Sequence, residues 1–233
     1  MRKSFIFATF VAAALFLTGC ANSPYKTFYK QNQGAENYRA NPDIILGNEE
    51  PRIIKVNSLN LLEENIKLWE DGYISVGYSS FIGELQGEKG AIEQAKALNA
   101  SVVLIRTPIT NGELPTSQYG GGVRVEQAAS YWVKTKINTK LFGVGSQPLT
   151  DEMAKKLGSN KAVHIQYVVK NSPAFFADVM KGDLITSIDG EIVYDRDSFG
   201  SSVKDKMGKQ VEIILYRDGK QLKKYATLGA WKQ

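Results

Sequence analysis

One cysteine, at position 20, is the whole thiol complement of this 233-residue chain, so no disulfide can form within it and packing alone must hold its fold. The surroundings of that cysteine indicate where folding is expected to happen. Arg2 and Lys3 precede an apolar run from Phe5 to Leu17, and Leu17-Thr18-Gly19 leads directly into Cys20. A charged start, an apolar stretch too short for a stable bilayer-spanning helix and a small-residue cleavage site are the marks of an export signal. Residues 1–19 are therefore expected to be a signal peptide that is removed.

The segment Leu17-Thr18-Gly19-Cys20 resembles the lipobox of bacterial lipoproteins. The resemblance implies a diacylglyceryl group on the Cys20 thiol, cleavage just before it, and acylation of the new amine with palmitate-type chains. Each buried methylene contributes about 0.8 kcal/mol, and a single acyl chain binds only reversibly, so two or three chains would tether the protein for its lifetime. The expected location is a cell membrane, with the protein lipid-anchored and facing the periplasm or the exterior. Ala21 stands where an aspartate would favour inner-membrane retention, so the outer membrane is favoured in a Gram-negative envelope.

Composition is that of a globular protein, 43% hydrophobic and 23% charged, and neither disordered nor membranous. The formal charge of +5 loses Arg2 and Lys3 with the signal, leaving a mild excess of +3. A small excess spread over short lysine clusters gives no support to nucleic-acid binding, which export also argues against.

Residues 20–47 are polar with scattered aromatics (Tyr25, Phe28, Tyr29, Tyr38) and no period, and are expected to form the acylated N-terminus and a tether whose aromatics dock on the next domain. Residues 48–139 read as an α/β domain. Arg52 to Val56 is a short strand, and Leu59 to Trp69 a helix with Leu62, Ile66 and Trp69 on one stripe. Tyr73 to Ile82 is an alternating strand, and Gly87 to Asn99 a helix with Ile92, Ala95 and Leu98 inward. Ser101 to Thr107 is an apolar strand, and Val123 to Val125 and Ala129 to Ile137 are two more. The order predicts a small α/β sandwich. Gly77 to Gly83, with the helix Ala91 to Leu98, resembles a class of envelope-lipoprotein domains, a resemblance that implies no activity. Tyr119-Gly120-Gly121-Gly122 lacks the Lys-Ser/Thr of a phosphate loop and does not open a helix, which predicts a hairpin loop.

Residues 140–230 carry a second pattern. Lys181-Gly182-Asp183 and Asp189-Gly190 flank the apolar strand Leu184 to Ile188, and each supplies a turn that needs positive φ. Asp218-Gly219 between two apolar strands signals a hairpin, and Ser172-Pro173 starts a helix with a hydroxyl cap. Together with Leu141-Phe142-Gly143-Val144, Gln147 to Gly158, Val168 to Ala174 and Thr227-Leu228-Gly229, these segments resemble, in order, a bacterial PDZ domain of the kind attached to HtrA-type serine proteases. The fold class that follows is α+β, a small α/β sandwich domain followed by a PDZ domain (a β-barrel-like sandwich with two helices). The resemblance implies that backbone amides at Leu141, Phe142, Gly143 and Val144 hold a terminal carboxylate, and that a peptide adds to the adjacent strand edge. Apolar loop residues imply a hydrophobic last residue in the ligand. Phe199 and Val203 share a helical face that is either groove or core. Two positions depart from the family: Asp178 replaces a glycine after the short helix, and Ala162 replaces another before the strand at Val163.

Enzymatic chemistry finds little footing. The one histidine, His164, lies inside a predicted strand, no serine-nucleophile loop is present, and no Ser–Lys spacing stands out. With one histidine and an acylated cysteine, no metal site and no cofactor are expected, and Asp195-Arg196-Asp197 reads as a loop or helix cap. The expectation is a non-enzymatic binding protein whose partners are C-terminal or extended peptides of envelope proteins and the membrane, but not nucleic acid. It would act as adaptor or scaffold. The alternatives are an assembly protein whose groove is filled internally, by Trp231-Lys232-Gln233 or by the first domain, and an enzyme with a site in the first domain.

Overall fold

In the computed structural model, residues 23–56, 61–106, 124–136 and 142–229 are described. Cys20, Leu141, the Tyr119 to Gly122 run and Trp231 to Gln233 lie outside them.

The N-terminal half contains α1 (Pro24–Thr27), β1 (Tyr29–Gln31), β2 (Ile44–Ile45), β3 (Arg52–Val56), α2 (Leu61–Glu70), β4 (Tyr73–Glu84), α3 (Lys89–Ala97), β5 (Val102–Arg106) and β6 (Arg124–Thr135). Its sheet runs β1-β4-β6-β5-β3, with β2 added to β6. The β3–β5 pair is parallel and the others are antiparallel. Strand β5 shows why both faces are covered. Val102 and Leu104 pack under α2 with Leu68 and Trp132, while Val103 and Ile105 pack under α3 with Ala91 and Ala95. A strand buried on both sides reads as a continuous apolar run.

Three expectations are corrected here. From Ser23 onward the expected tether is part of this sheet, with β1 and β2 as its strands; the expected docking of its aromatics does occur, Tyr25 and Tyr38 being buried in the core. The Tyr25 ring meets Phe81 edge-on at 5.0 Å, and the Tyr38 hydroxyl donates to the Leu98 carbonyl at 2.6 Å. The two strands expected between Val123 and Ile137 are one, β6. Gln127, polar in mid-strand, is buried because its side chain accepts the Gln86 N–H at 2.6 Å and donates to the Glu84 carbonyl at 2.9 Å. In α2 the inward stripe is Leu61, Leu68 and Trp69; Leu62 is 62% exposed.

The C-terminal half contains β7 (Val144–Gln147), α4 (Asp151–Leu157), β8 (Val163–Val168), α5 (Pro173–Phe176), β9 (Leu184–Ile188), β10 (Glu191–Ile192), α6 (Arg196–Asp205), β11 (Gln210–Arg217) and β12 (Lys220–Thr227). Its antiparallel sheet runs β12-β11-β9-β8-β7, with β10 on β9. Arg217 pairs with Lys220, and Asp218 and Gly219 both have positive φ, which is the two-residue turn that suits right-twisted strands. Ser172 caps α5 and Asp195 caps α6, the latter in a reciprocal box with Ser198. Asp178 does adopt φ +56°. The side chains that pair with it explain how: its carboxylate meets Lys224 and Arg217, and its carbonyl accepts from Arg217 Nη2 at 2.7 Å. The Lys224 hydrogen bond, chiefly, holds the Asp178 pKa below its ordinary value. Ala162 is buried. The core of this half gathers Ile165, Ile185, Ile213 and Leu215.

Candidate functional site

Strand β7 is the border of its sheet. It pairs with β8 on one side, and among the described residues its other side has no strand partner. Just before it, Gly143 has φ +87°, a value that favours glycine. The Phe142 carbonyl accepts from the Ala174 N–H at 3.0 Å, and the Gly143 carbonyl accepts from the Val169 N–H at 2.8 Å. Both carbonyls therefore point toward β8 and α5. In a trans peptide the following N–H points the opposite way. The N–H groups of Gly143 and Val144 thus aim off the paired side, as two consecutive donors at the open border. Consecutive amides of this kind form a nest for an anion such as a carboxylate.

Across from this loop lies α6. Phe199 and Val203, which the sequence leaves between groove and core, belong to the core and also border a cleft of about 650 Å³. Both are buried, and Phe199 meets Phe142 at 6.2 Å and 63°. Phe142, Gly143 and Val144 line the same cleft, so the expected loop and helix residues come together. Gly200 opens the helix wall: a Cβ there would have no neighbour within 4 Å.

The remaining wall was not foreseen. It comes from the N-terminal half, from Asp43, Ile44, Tyr73, Ile74 and Lys136. The two halves are bolted together at the end of α2. The Lys170 N–H donates to the Glu70 carbonyl at 2.8 Å, and Lys170 Nζ lies 2.5 Å from Asp71 Oδ1. The Asp71 hydrogen bond, chiefly, raises the Lys170 pKa. Trp69 stacks on Tyr167 at 5.3 Å and 22°. Tyr167 in turn lies flat over its cross-strand partner Gly145, where a Cβ would come within 2.0 Å of the ring. Burial pushes the Tyr167 pKa up, with Arg196 opposing. The sequence does hint at this arrangement, since a second glycine two residues after Gly143 makes room for a ring.

His164 contributes no triad geometry. Its Nδ1 lies 2.9 Å from Gln147 Nε2, an amide and not an orienting carboxylate. Among the described residues no helix is long and apolar enough to cross a membrane, and no cluster of histidine, cysteine or acidic residues could hold a metal.

Comparison with known proteins agrees on the class. A family model described as PDZ domain matches residues 122–227. The match begins just ahead of β6, so it takes in a strand that belongs to the N-terminal sheet. The chain thus carries a PDZ domain within a mixed helix-and-sheet architecture. No curated protein matches the chain. Among solved structures, a PDZ domain of HtrA3 bound to the phage-derived ligand FGRWV is 17% identical, with a TM-score of 0.34, over 38% of this chain and 83% of that one. The HtrA-type protease AlgW with a decapeptide is 21% identical, with a TM-score of 0.33, over 48% of this chain and 38% of that one. The photosystem II D1 C-terminal processing protease is 22% identical, with a TM-score of 0.31, over 37% and 22%. The chain therefore spans well under half the length of both proteases.

Proposed function

We propose that this protein is a lipid-anchored envelope protein whose PDZ cleft captures C-terminal or extended peptides of other envelope proteins, serving as adaptor or scaffold. It works by binding and not by turnover. The observation that carries the reading is the pair of N–H donors at Gly143 and Val144 beside the unpaired border of β7. An incoming chain end can place its carboxylate on those amides and continue as an added strand, so main-chain hydrogen bonds supply affinity. Phe142, Phe199 and Val203 supply an apolar seat for the last side chain. The export signal and Cys20 support placement at a membrane facing the periplasm or exterior, the outer one in a Gram-negative cell.

Titration of the full chain in detergent with fluorescent decapeptides, each made with a free and an amidated C-terminus, tests the reading. Free acids ending in an apolar residue are expected to bind and their amides to bind far more weakly. Equal binding of both forms would remove the carboxylate nest from the account.

A further inference from the structure

Most of the wall contributed by the N-terminal half, Asp43, Ile44, Tyr73 and Ile74, lies outside the residues that the PDZ family model matches. Two hydrogen bonds fix its position. Val169 donates its N–H to the Gly143 carbonyl, and the next residue, Lys170, donates its N–H to the Glu70 carbonyl. The carboxylate loop and the end of α2 are therefore held to adjacent residues of one strand end. Tyr73 and Ile74 follow within four residues of Glu70, so their distance from Gly143 is set by that bolt and by the Trp69–Tyr167 stack. Ile74 is 38% exposed on the cleft, a branched aliphatic side chain left open to water. It faces a predominantly apolar space whose charged lining residues are Lys136, Lys204 and Asp43, a net positive set. A ligand end with a bulky apolar side chain and a free carboxylate complements both features at once.

We infer that the N-terminal half is a specificity-determining part of the peptide site: Ile74 and Lys136 read the last residue of a C-terminal peptide and favour a large apolar side chain with its free carboxylate. The inference rests on the peptide-binding reading above and adds the half of the protein that reading leaves without a role. It also explains why the two halves are fastened at the mouth of the groove.

The test is fluorescence anisotropy on the full chain in detergent, using decapeptides that end in Phe, Leu or Ala. Three variants are compared, each checked by circular dichroism and thermal melting. Gly200→Leu closes the helix side of the cleft. Ile74→Glu places a charge at an already exposed position of the opposite wall, and Lys136→Glu reverses an exposed charge. Wild-type protein is expected to prefer Phe and Leu over Ala. Ile74→Glu is expected to weaken the Phe and Leu peptides about tenfold and to level the preference. Lys136→Glu is expected to weaken all free acids by about threefold to tenfold at low salt and less at high salt. If Gly200→Leu abolishes binding while both N-terminal variants bind with unchanged affinity and preference, the inference is overturned and the PDZ reading stands. If the wild-type protein binds none of the peptides, both readings are overturned together.

Discussion

The indole of Trp69 lies 5.3 Å from the phenol ring of Tyr167, nearly parallel to it, and this stack joins helix α2 of one sheet to strand β8 of the other. Trp69 also meets Trp132 at 6.1 Å, so the column runs from the core of the first half to the backbone of Gly145. Removing the indole in Trp69→Ala is expected to cost about 2 kcal/mol, since the ring is half-buried, stacked on Tyr167 and edge-on to Trp132. Gly145→Ala should cost about 1–3 kcal/mol by overpacking, because its new methyl must displace the Tyr167 ring. Both changes act on one column, so denaturant unfolding of the double variant should show a loss smaller than the sum of the two.

Gly200 sits inside α6 on the wall of the cleft, with open space where a side chain would go. Glycine in a helix interior is less favourable than alanine by about 0.5–1 kcal/mol. Gly200→Ala is expected to raise stability by that amount in a urea titration and to leave peptide affinity within about twofold.

Much of the C-terminal half was legible because its turns are written in residue types. Gly182, Asp189, Gly190, Asp218 and Gly219 were read as turn residues, and all five have positive φ. Of the N-terminal segment only the docking of its aromatics was legible. Its strands β1 and β2 are only three and two residues long, too short for a period, and Tyr25 and Tyr38 are buried by partners far along the chain. The sequence pattern of β6 breaks at Gln127, and backbone groups of Gln86, Glu84 and Gly83, distant in the chain, explain its burial. Phe142 to Val144 and Phe199 and Val203 can be named from the sequence because adjacent residues carry the pattern. The opposite wall was missed because it is brought in by contacts such as Asp71 to Lys170, which are 99 residues apart and leave no local pattern.

Arg217 and Asp183 form a fork at the back of the PDZ sheet. Nε donates to Oδ1 at 2.7 Å and Nη2 to Oδ2 at 2.9 Å, and the Asp183 side chain is fully buried. The Asp183 hydrogen bond, chiefly, raises the Arg217 pKa. Arg217→Met leaves that carboxylate with the Met180 N–H but without its cation. Stranding a buried charge costs about 3–5 kcal/mol, so the variant should melt at markedly lower temperature. Restoring neutrality with Asp183→Asn in the same chain should recover part of the loss.

Acylation at Cys20 is expected to decide where the protein is found. Cys20→Ser removes the thiol that would carry the diacylglyceryl group, and the remaining chain has no other cysteine. Cells fed labelled palmitate should label the wild-type protein and not the variant. The variant should also run as the uncleaved, larger form if cleavage waits on the lipid. Equal labelling of both would place the lipid elsewhere, and labelling of neither would remove it from the account.

His164 is the one side chain here whose ordinary titration falls near neutrality. Burial, with a smaller push from the nearby Lys181 ammonium, lowers its pKa below the usual imidazole value, while its Nδ1 faces the Gln147 amide. The folded protein therefore holds this ring neutral at a pH where the unfolded chain, at about 6.5, already takes up a proton. Below that value the unfolded state binds more protons than the folded one, so stability rises with pH across the window. The contribution is complete above the unfolded pKa and is lost as pH falls toward the folded one. Urea unfolding at a series of pH values should show stability declining from about pH 7 toward pH 5. His164→Gln, which cannot titrate, should flatten that decline while keeping an amide that can meet Gln147. A decline of the same slope in the variant would assign the acid sensitivity to carboxylates such as Asp178, whose lowered pKa acts with the same sign at lower pH.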